Sequence, residues 1–184
     1  MWDVTRPPFR MDKPSGHPTR PARPELSGGE VLALERRSRS LGSGLTRERV
    51  HGRWRLDRLW SKHQAQPQAP TAALLRALQA TLAISPSPEG DGLAVLNSVQ
   101  LGALHLSFSG EGQLRGRRPL LEFWFTQLEV RCGNHTLWRQ AIAGPPEPRK
   151  RPFFALIARE GEGESGWLLA RGRGGGLALW LLSS

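Results

Sequence analysis

From Leu93 onward the apolar residues of this chain recur at every second position instead of every third or fourth. Leu93, Val95, Val99 and Leu101 share one phase, with Asn97 on their face, and Leu104, Leu106 and Phe108 follow in the opposite phase. Gly102 stands at the phase change, where a bulge or turn is required. Gly110-Glu111-Gly112 reads as a turn. Leu121, Phe123 and Phe125 then form one face of a further strand, and Leu120, Trp124, Leu128 and Val130 the other. Gly133-Asn134 turns the chain into a strand over Thr136–Ile142. A proline loop, Pro145 to Pro152, precedes three closing strands: Phe153–Arg159, Trp167–Ala170 and Leu177–Leu182, the last two joined through Gly172–Gly176. Short strands of this kind bury one face each, so the expected fold is mainly β, an antiparallel barrel or sandwich. A barrel removes sheet edges, and one of about eight strands can hold a small ligand.

The first half of the chain carries the helical signals. Ser27 and Glu30 have capping-box spacing, and Val31, Leu34, Ser38 and Leu41 follow at helical intervals until Gly42 and Gly44. Gly52–Trp60 is the first strand, with Trp54, Leu56 and Arg58 on one face and Leu59 breaking the alternation. Thr71–Ile84 reads as a second, peripheral helix striped by Leu74, Leu75, Leu78 and Leu82, ending at the Pro/Gly-rich break 85–92. Residues 1–25 hold six prolines and little apolar material, and read as a disordered basic leader ahead of one domain, 26–184. Either Met1 or Met11 fits as its start. No apolar segment follows the basic N-terminus as in a secretory signal, and no apolar run approaches a membrane-spanning length.

The net charge is +10 over 184 residues, with arginine dominating lysine. Blocks 26–60 and 113–159 carry +4 and +6. Such a balance fits a solvated arginine-rich surface, or a face meeting an anionic membrane, a nucleic acid or an acidic protein.

Catalytic and metal signatures are lacking in the sequence. There is no phosphate-binding glycine loop and no nucleophile elbow, and the carboxylates form no acid/base pair. His51, His63, His105 and His135 are scattered, and Cys132-x-x-His135 lacks a second half, so Cys132 reads as a small buried residue and neither a metal nor a cofactor is expected. Arg171-Gly172-Arg173-Gly174-Gly175-Gly176 has the composition of an RNA-binding tract but is short and flanked by apolar strands, which favours a hairpin turn. Trp54, Trp124 and Trp180 read as core, whereas Trp60, Trp138 and Trp167 suit an interface or a ligand wall.

Gly52-Arg53-Trp54 resembles the Gly-x-Trp opening of lipocalin-like barrels. The ending Trp167–Trp180, with its Arg171-Gly172 pair, glycine turn and apolar last strand, resembles the C-terminal signature of the plastid lipid-associated proteins, also called fibrillins or plastoglobulins. Leu121–Val130 and the proline-rich Pro145–Phe154 segment resemble that family's middle strand and late loop, and the similarity spans roughly residues 44–184. The chain departs from the family where an acidic residue often replaces Arg173, and in the Glu/Gly run Glu160–Gly166.

The resemblance implies a lipocalin-like barrel in a cyanobacterium or plastid, cytoplasmic or associated with thylakoids or lipid bodies. It implies a non-enzymatic carrier of a hydrophobic molecule such as a carotenoid, quinone or lipid. On this view Trp54, Val95, Val99, Leu104, Leu106, Phe123 and Phe125 line the ligand site, or fill the interior themselves. Gly52, Trp54, Arg171 and Gly172 close the barrel, the first strand pairing with the last, with Arg171 (or, failing it, Arg173) over Trp54. Arg117, Arg118, Arg149, Lys150 and Arg151 would meet an anionic membrane. The alternatives are a nucleic-acid-binding protein using the same arginines, or a structural or assembly factor without a ligand.

Overall fold

A computed structural model describes residues 24–60, 79–161 and 166–183. The expected leader, 1–25, lies almost wholly outside these residues, as does most of the expected second helix. Two helices, α1 (Gly28–Leu41) and the one-turn α2 (Arg47–Val50), precede the sheet. Nine strands follow: β1 (Gly52–Trp60), β2 (Thr81–Pro86), β3 (Leu93–Leu101), β4 (Leu104–Arg115), β5 (Leu120–Cys132), β6 (His135–Ala141), β7 (Phe153–Glu160), β8 (Trp167–Gly172) and β9 (Leu177–Ser183). The capping box of α1 forms as its sequence predicts, the Ser27 hydroxyl accepting from the Glu30 amide and the Glu30 carboxylate accepting from the Ser27 amide.

All strand pairs are antiparallel. Starting at β5 the neighbours run β4, β3, β2, β1, β9, β8, β7, and β7 returns to β5, so eight strands form a closed ring. The first and last strands pair as expected, Trp54 opposite Leu182 and Leu56 opposite Trp180. β6 stands outside the ring, beside the distal half of β5.

Three one-residue bulges set which side chains face inward. In β1, Leu56 and Arg58 oppose the adjacent residues Trp180 and Leu179, leaving Asp57 as the extra residue. This reverses the alternation: Arg58 turns outward, where its guanidinium donates to the carbonyls of Leu26 and Pro24, and Leu59 turns in, opposite Ala178. The expectation that Arg58 shares a face with Trp54 and Leu56 is thereby corrected. In β7 the extra residue is Ile157, which sends Arg159 inward opposite Leu168. In β5 it is Thr126. Phe125 and Leu128 consequently oppose Gly110 and Phe108, two residues apart on β4, so Leu128 and Val130 share the face of Phe125 instead of the opposite one.

Two further expectations change. Gly110-Glu111-Gly112 is no turn but the middle of β4; a Cβ on Gly110 would lie 2.0 Å from the Trp124 carbonyl oxygen, so only glycine admits the close approach at the β5 bulge. The C-terminal part of the expected helix 71–84 is strand β2, because Thr81–Pro86 pairs along both edges with β1 and β3. Such ladder pairing overrides a leucine stripe that looks helical in one dimension.

The core divides in two. Inside the ring, Trp54, Leu56, Leu82, Ile84, Leu93, Val95, Leu121, Phe123, Leu168 and Trp180 pack together. Outside it, Val31 of α1 covers Trp60, Ile157, Trp167, Leu169, Leu177, Leu179 and Leu181. β8 and β9 are therefore apolar on both faces, which is why their sequences show no alternation.

Candidate functional site

One end of the ring is plugged. α2 sits across it, with Leu45 and Val50 in the interior core, and the Trp54 indole, fully buried, donates from Nε1 to the Val50 carbonyl at 2.9 Å. Gly52 initiates β1 at φ 139°, a backbone region that favours glycine, and a Cβ there would stand 2.5 Å from Leu182 Cδ1. Among the described residues nothing covers the other end of the ring, where β1, β3 and β8 finish and β2, β7 and β9 begin.

A cavity of about 310 Å3 lies behind this mouth, walled by Leu56, Leu59, Ala80, Asn97, Val99, Phe154, Gly172, Gly176, Ala178 and Trp180. Among the described residues no charged side chain lines it, and Asn97 and Trp180 are the wall residues whose side chains carry a polar group. Trp180 is 7% exposed, and its Nε1 has no hydrogen-bond partner among the described residues. Leaving a buried donor unpaired costs about 1–3 kcal/mol.

The expected ligand-lining residues separate into groups. Val99 lines the cavity. Trp54, Val95 and Phe123 are instead buried filler of the plugged half, with Phe125 packed against them, its ring tilted against those of Phe108 and Phe123 at centroid distances of 5.2 and 5.5 Å. Leu106, half-buried, faces Val99 across the β3–β4 pair. Leu104 is 47% exposed and is not on the cavity wall, because β3, β4 and β5 extend past the ring at the mouth. The interior is thus packed at one end and hollow at the other.

Arg171 does not cover Trp54. It opposes Leu177, whose side chain belongs to the outer cluster, so the sheet separates it from the indole. Arg159, carried inward by the β7 bulge, takes that place, its guanidinium carbon 5.8 Å from the Trp54 ring centroid. Arg171 instead binds Glu35, which sequence reasoning missed. Glu35 is a 4%-exposed carboxylate on α1 that also holds Arg39 at 2.8 Å and Arg118 at 3.3 Å. Burial by itself raises the Glu35 pKa, but the hydrogen bonds and charges of Arg171 and Arg39 outweigh it and hold the carboxyl below its ordinary value. The only sequence signal was an acidic residue on the Val31–Ser38 face of an otherwise arginine-rich helix.

The residues expected to meet an anionic surface also divide. Arg118 is committed to Glu35, so it is withdrawn from that role. The exposed Arg117 lies against the C-terminal end of α1, where Gly42 abuts its carbonyl. Arg149, Lys150 and Arg151 form the loop before β7; Arg151 stacks 5.0 Å over Trp124, which therefore faces outward and not into the core, and Lys150 pairs with Glu147 at 3.2 Å. Arg173, from the β8–β9 turn, donates to the carbonyls of Arg149 and Arg151.

Beyond the ring the turns β3–β4 and β5–β6 lie side by side, tied by the Gly133 amide to the Ala103 carbonyl at 2.8 Å. They expose Leu101, Leu104, Leu137 and Trp138. Trp138, Val130, Leu106 and Val99 oppose one another in sequence across four strands, so one apolar face runs from the cavity wall to the tip. No acidic residue occurs in 97–110 or 130–146, while Arg131 and Arg139 do. Trp60 and Trp167 pack beneath α1, away from this face, and Cys132 is exposed, not buried. Among the described residues no helix is long and apolar enough to cross a membrane. The sequence matches no protein-family model, and no curated protein or solved structure shows significant similarity to it.

Proposed function

We propose that the ring is a lipocalin-like barrel that binds a neutral, largely apolar small molecule through its open mouth, without catalysis. The observation that carries this reading is the cavity of about 310 Å3, whose lining among the described residues holds no charged side chain and whose size is at the small end of the roughly 300–1,000 Å3 usual for ligand sites. The kinship with fibrillins belongs to the same proposal. Its supports are the β1–β9 closure behind Gly52-x-Trp54 and the hairpin formed by Arg171–Gly176. The carotenoid, quinone or lipid class and a thylakoid or lipid-body setting come with it. A cavity of this size suits a ring system or a short acyl segment better than an entire long polyene.

Ligand exchange at an anionic membrane is the second half of the reading. Exposed leucines and a tryptophan at acid-free hairpin tips match the boundary of a bilayer, where indole and basic side chains are both favoured. The nucleic-acid alternative is weaker, because both guanidinium groups of the arginine-glycine tract already bind within the chain, Arg171 to Glu35 and Arg173 to loop carbonyls. Mass spectrometry of natively purified protein after organic extraction tests the reading. A stoichiometric apolar molecule is expected. A chain that carries none, and whose tryptophan fluorescence no apolar probe quenches, would refute it.

A further inference from the structure

We propose that the apolar ligand passes between bilayer and cavity in direct contact with the chain, along the inner face of the sheet extension formed by β3, β4, β5 and β6, without a step through water; this rests on the cavity being the binding site. Val99 on the cavity wall is followed across the sheet by Leu106, Val130 and Trp138, an unbroken apolar row. Three strand spacings make it about 14 Å long. Phe108 and Leu128 stand beside this row on the cavity side, Leu101 and Leu104 on the tip side. The polar residues Asn97, Gln140 and His135 take three corners of the face, and it holds no Arg, Lys, Asp or Glu.

The reverse face has the opposite character. Ser98, Ser107, Glu129 and Arg139 form one row of it, and Gln100, His105, Arg131 and Thr136 the next, all of them polar. Arg131 and Arg139 share Glu129, with Arg139 Nε at 2.8 Å, so two guanidinium groups meet one carboxylate and this face keeps a positive excess. A sheet apolar on one side and weakly basic on the other suits the boundary between acyl chains and anionic headgroups. Size favours the bilayer over a second copy as the occupant. Three rows of four strands cover about 400 Å2. That is about half of the roughly 800 Å2 per partner that a stable protein interface buries. Contact with a bilayer needs no matching partner surface, and its strength simply grows with the apolar area withdrawn from water.

Transfer kinetics test this. The full chain, loaded with the neutral fluorescent probe N-phenyl-1-naphthylamine, is mixed with phosphatidylcholine vesicles containing phosphatidylglycerol and an energy-accepting lipid, and transfer is followed by stopped-flow fluorescence. Direct passage makes the transfer rate rise in proportion to vesicle concentration, which is the expected result. A step through water holds the rate constant, at the rate of dissociation. Val130→Gln, midway along the row and off the cavity wall, should lower the slope at least about five-fold, because an apolar body crossing the amide must strip it of water. Its equilibrium affinity for the probe and its sedimentation with vesicles should match those of the wild type. Thr136→Gln, on the reverse face of the same tip, should leave the slope unchanged. A wild-type rate independent of vesicle concentration, a series that needs no variant, would overturn the inference, as would equal slopes for Val130→Gln and wild type. Both results follow if another part of this chain or a second copy occupies the face. A probe that binds but leaves through water keeps the apolar-ligand reading standing, whereas a probe that does not bind overturns both.

Discussion

Glu35 and Arg171, 136 residues apart in sequence, meet through two hydrogen bonds of 2.5 Å on the outside of the ring. The contact joins α1 to β8 from above the sheet, and the same carboxylate collects Arg39 and Arg118. Three guanidinium groups around one buried carboxylate leave a local excess of positive charge, which is tolerable only while that carboxylate is ionised.

Glu35→Gln should therefore destabilise the chain strongly, by about 3 kcal/mol, since removing one partner strands the buried charge of the other. The variant should melt several degrees lower. Because the folded-state pKa of Glu35 lies below its ordinary 4.5, the contribution is complete above that value and disappears as pH falls through the lower folded pKa. Thermal melts from pH 7 to pH 3 should show the gap between wild type and variant closing at the acid end. A constant gap would mean that the cost is one of packing.

Arg159→Ala should lower stability by about 0.5–2 kcal/mol, the range for a guanidinium held against an aromatic face. Its guanidinium also donates to the Gly161 carbonyl at 3.3 Å. Arg37→Ala, on an exposed position of α1, should be close to neutral. Denaturant melts of the two variants decide the matter, and equal effects would remove Arg159 from the plugged end.

Gly110→Ala should cost about 1–3 kcal/mol or more, because the added methyl would meet backbone, which cannot turn aside as a side chain can. Gly174→Ala, with nothing within 4 Å of the new methyl, is the control and should be nearly silent. Chemical denaturation of both proteins reads the difference.

Charge and cavity should separate on vesicles. Replacing Arg149, Lys150 and Arg151 together should weaken binding to anionic vesicles while leaving quenching of tryptophan fluorescence by a bound apolar probe intact. Leu104→Ser with Trp138→Ser, which leaves the charge unchanged, should weaken vesicle binding even at low salt, because burial of the tips depends on apolar area and not on charge. Binding of the wild type should fall as salt rises, exposed charges being screened over about 8 Å at physiological ionic strength. Sedimentation with vesicles at several salt concentrations measures all three.

The local rules of the chain settled much of this protein in one dimension. Ser27 and Glu30 announced α1, the alternation from Leu93 announced β3, and the glycine run at Gly172–Gly176 announced the hairpin of β8 and β9. Gly52-x-Trp54 and the apolar ending pointed to closure of β1 on β9, which the pairing bears out. The direction of a side chain beyond a bulge was another matter. Asp57, Thr126 and Ile157 each shift the parity of a strand, and each exists because a partner far away in sequence fixes the register. Hence Arg159 and not Arg171 reaches Trp54, Leu59 faces the cavity, and Leu128 changes face. Glu35 was equally illegible: one carboxylate among helix arginines gains its meaning only when β8 and the β4–β5 turn bring Arg171 and Arg118 to it. The hollow half of the ring was decided the same way, because whether Val95 and Phe123 fill an interior or line a cavity depends on how far α2 plugs the end opposite the mouth, a distance set by packing in three dimensions.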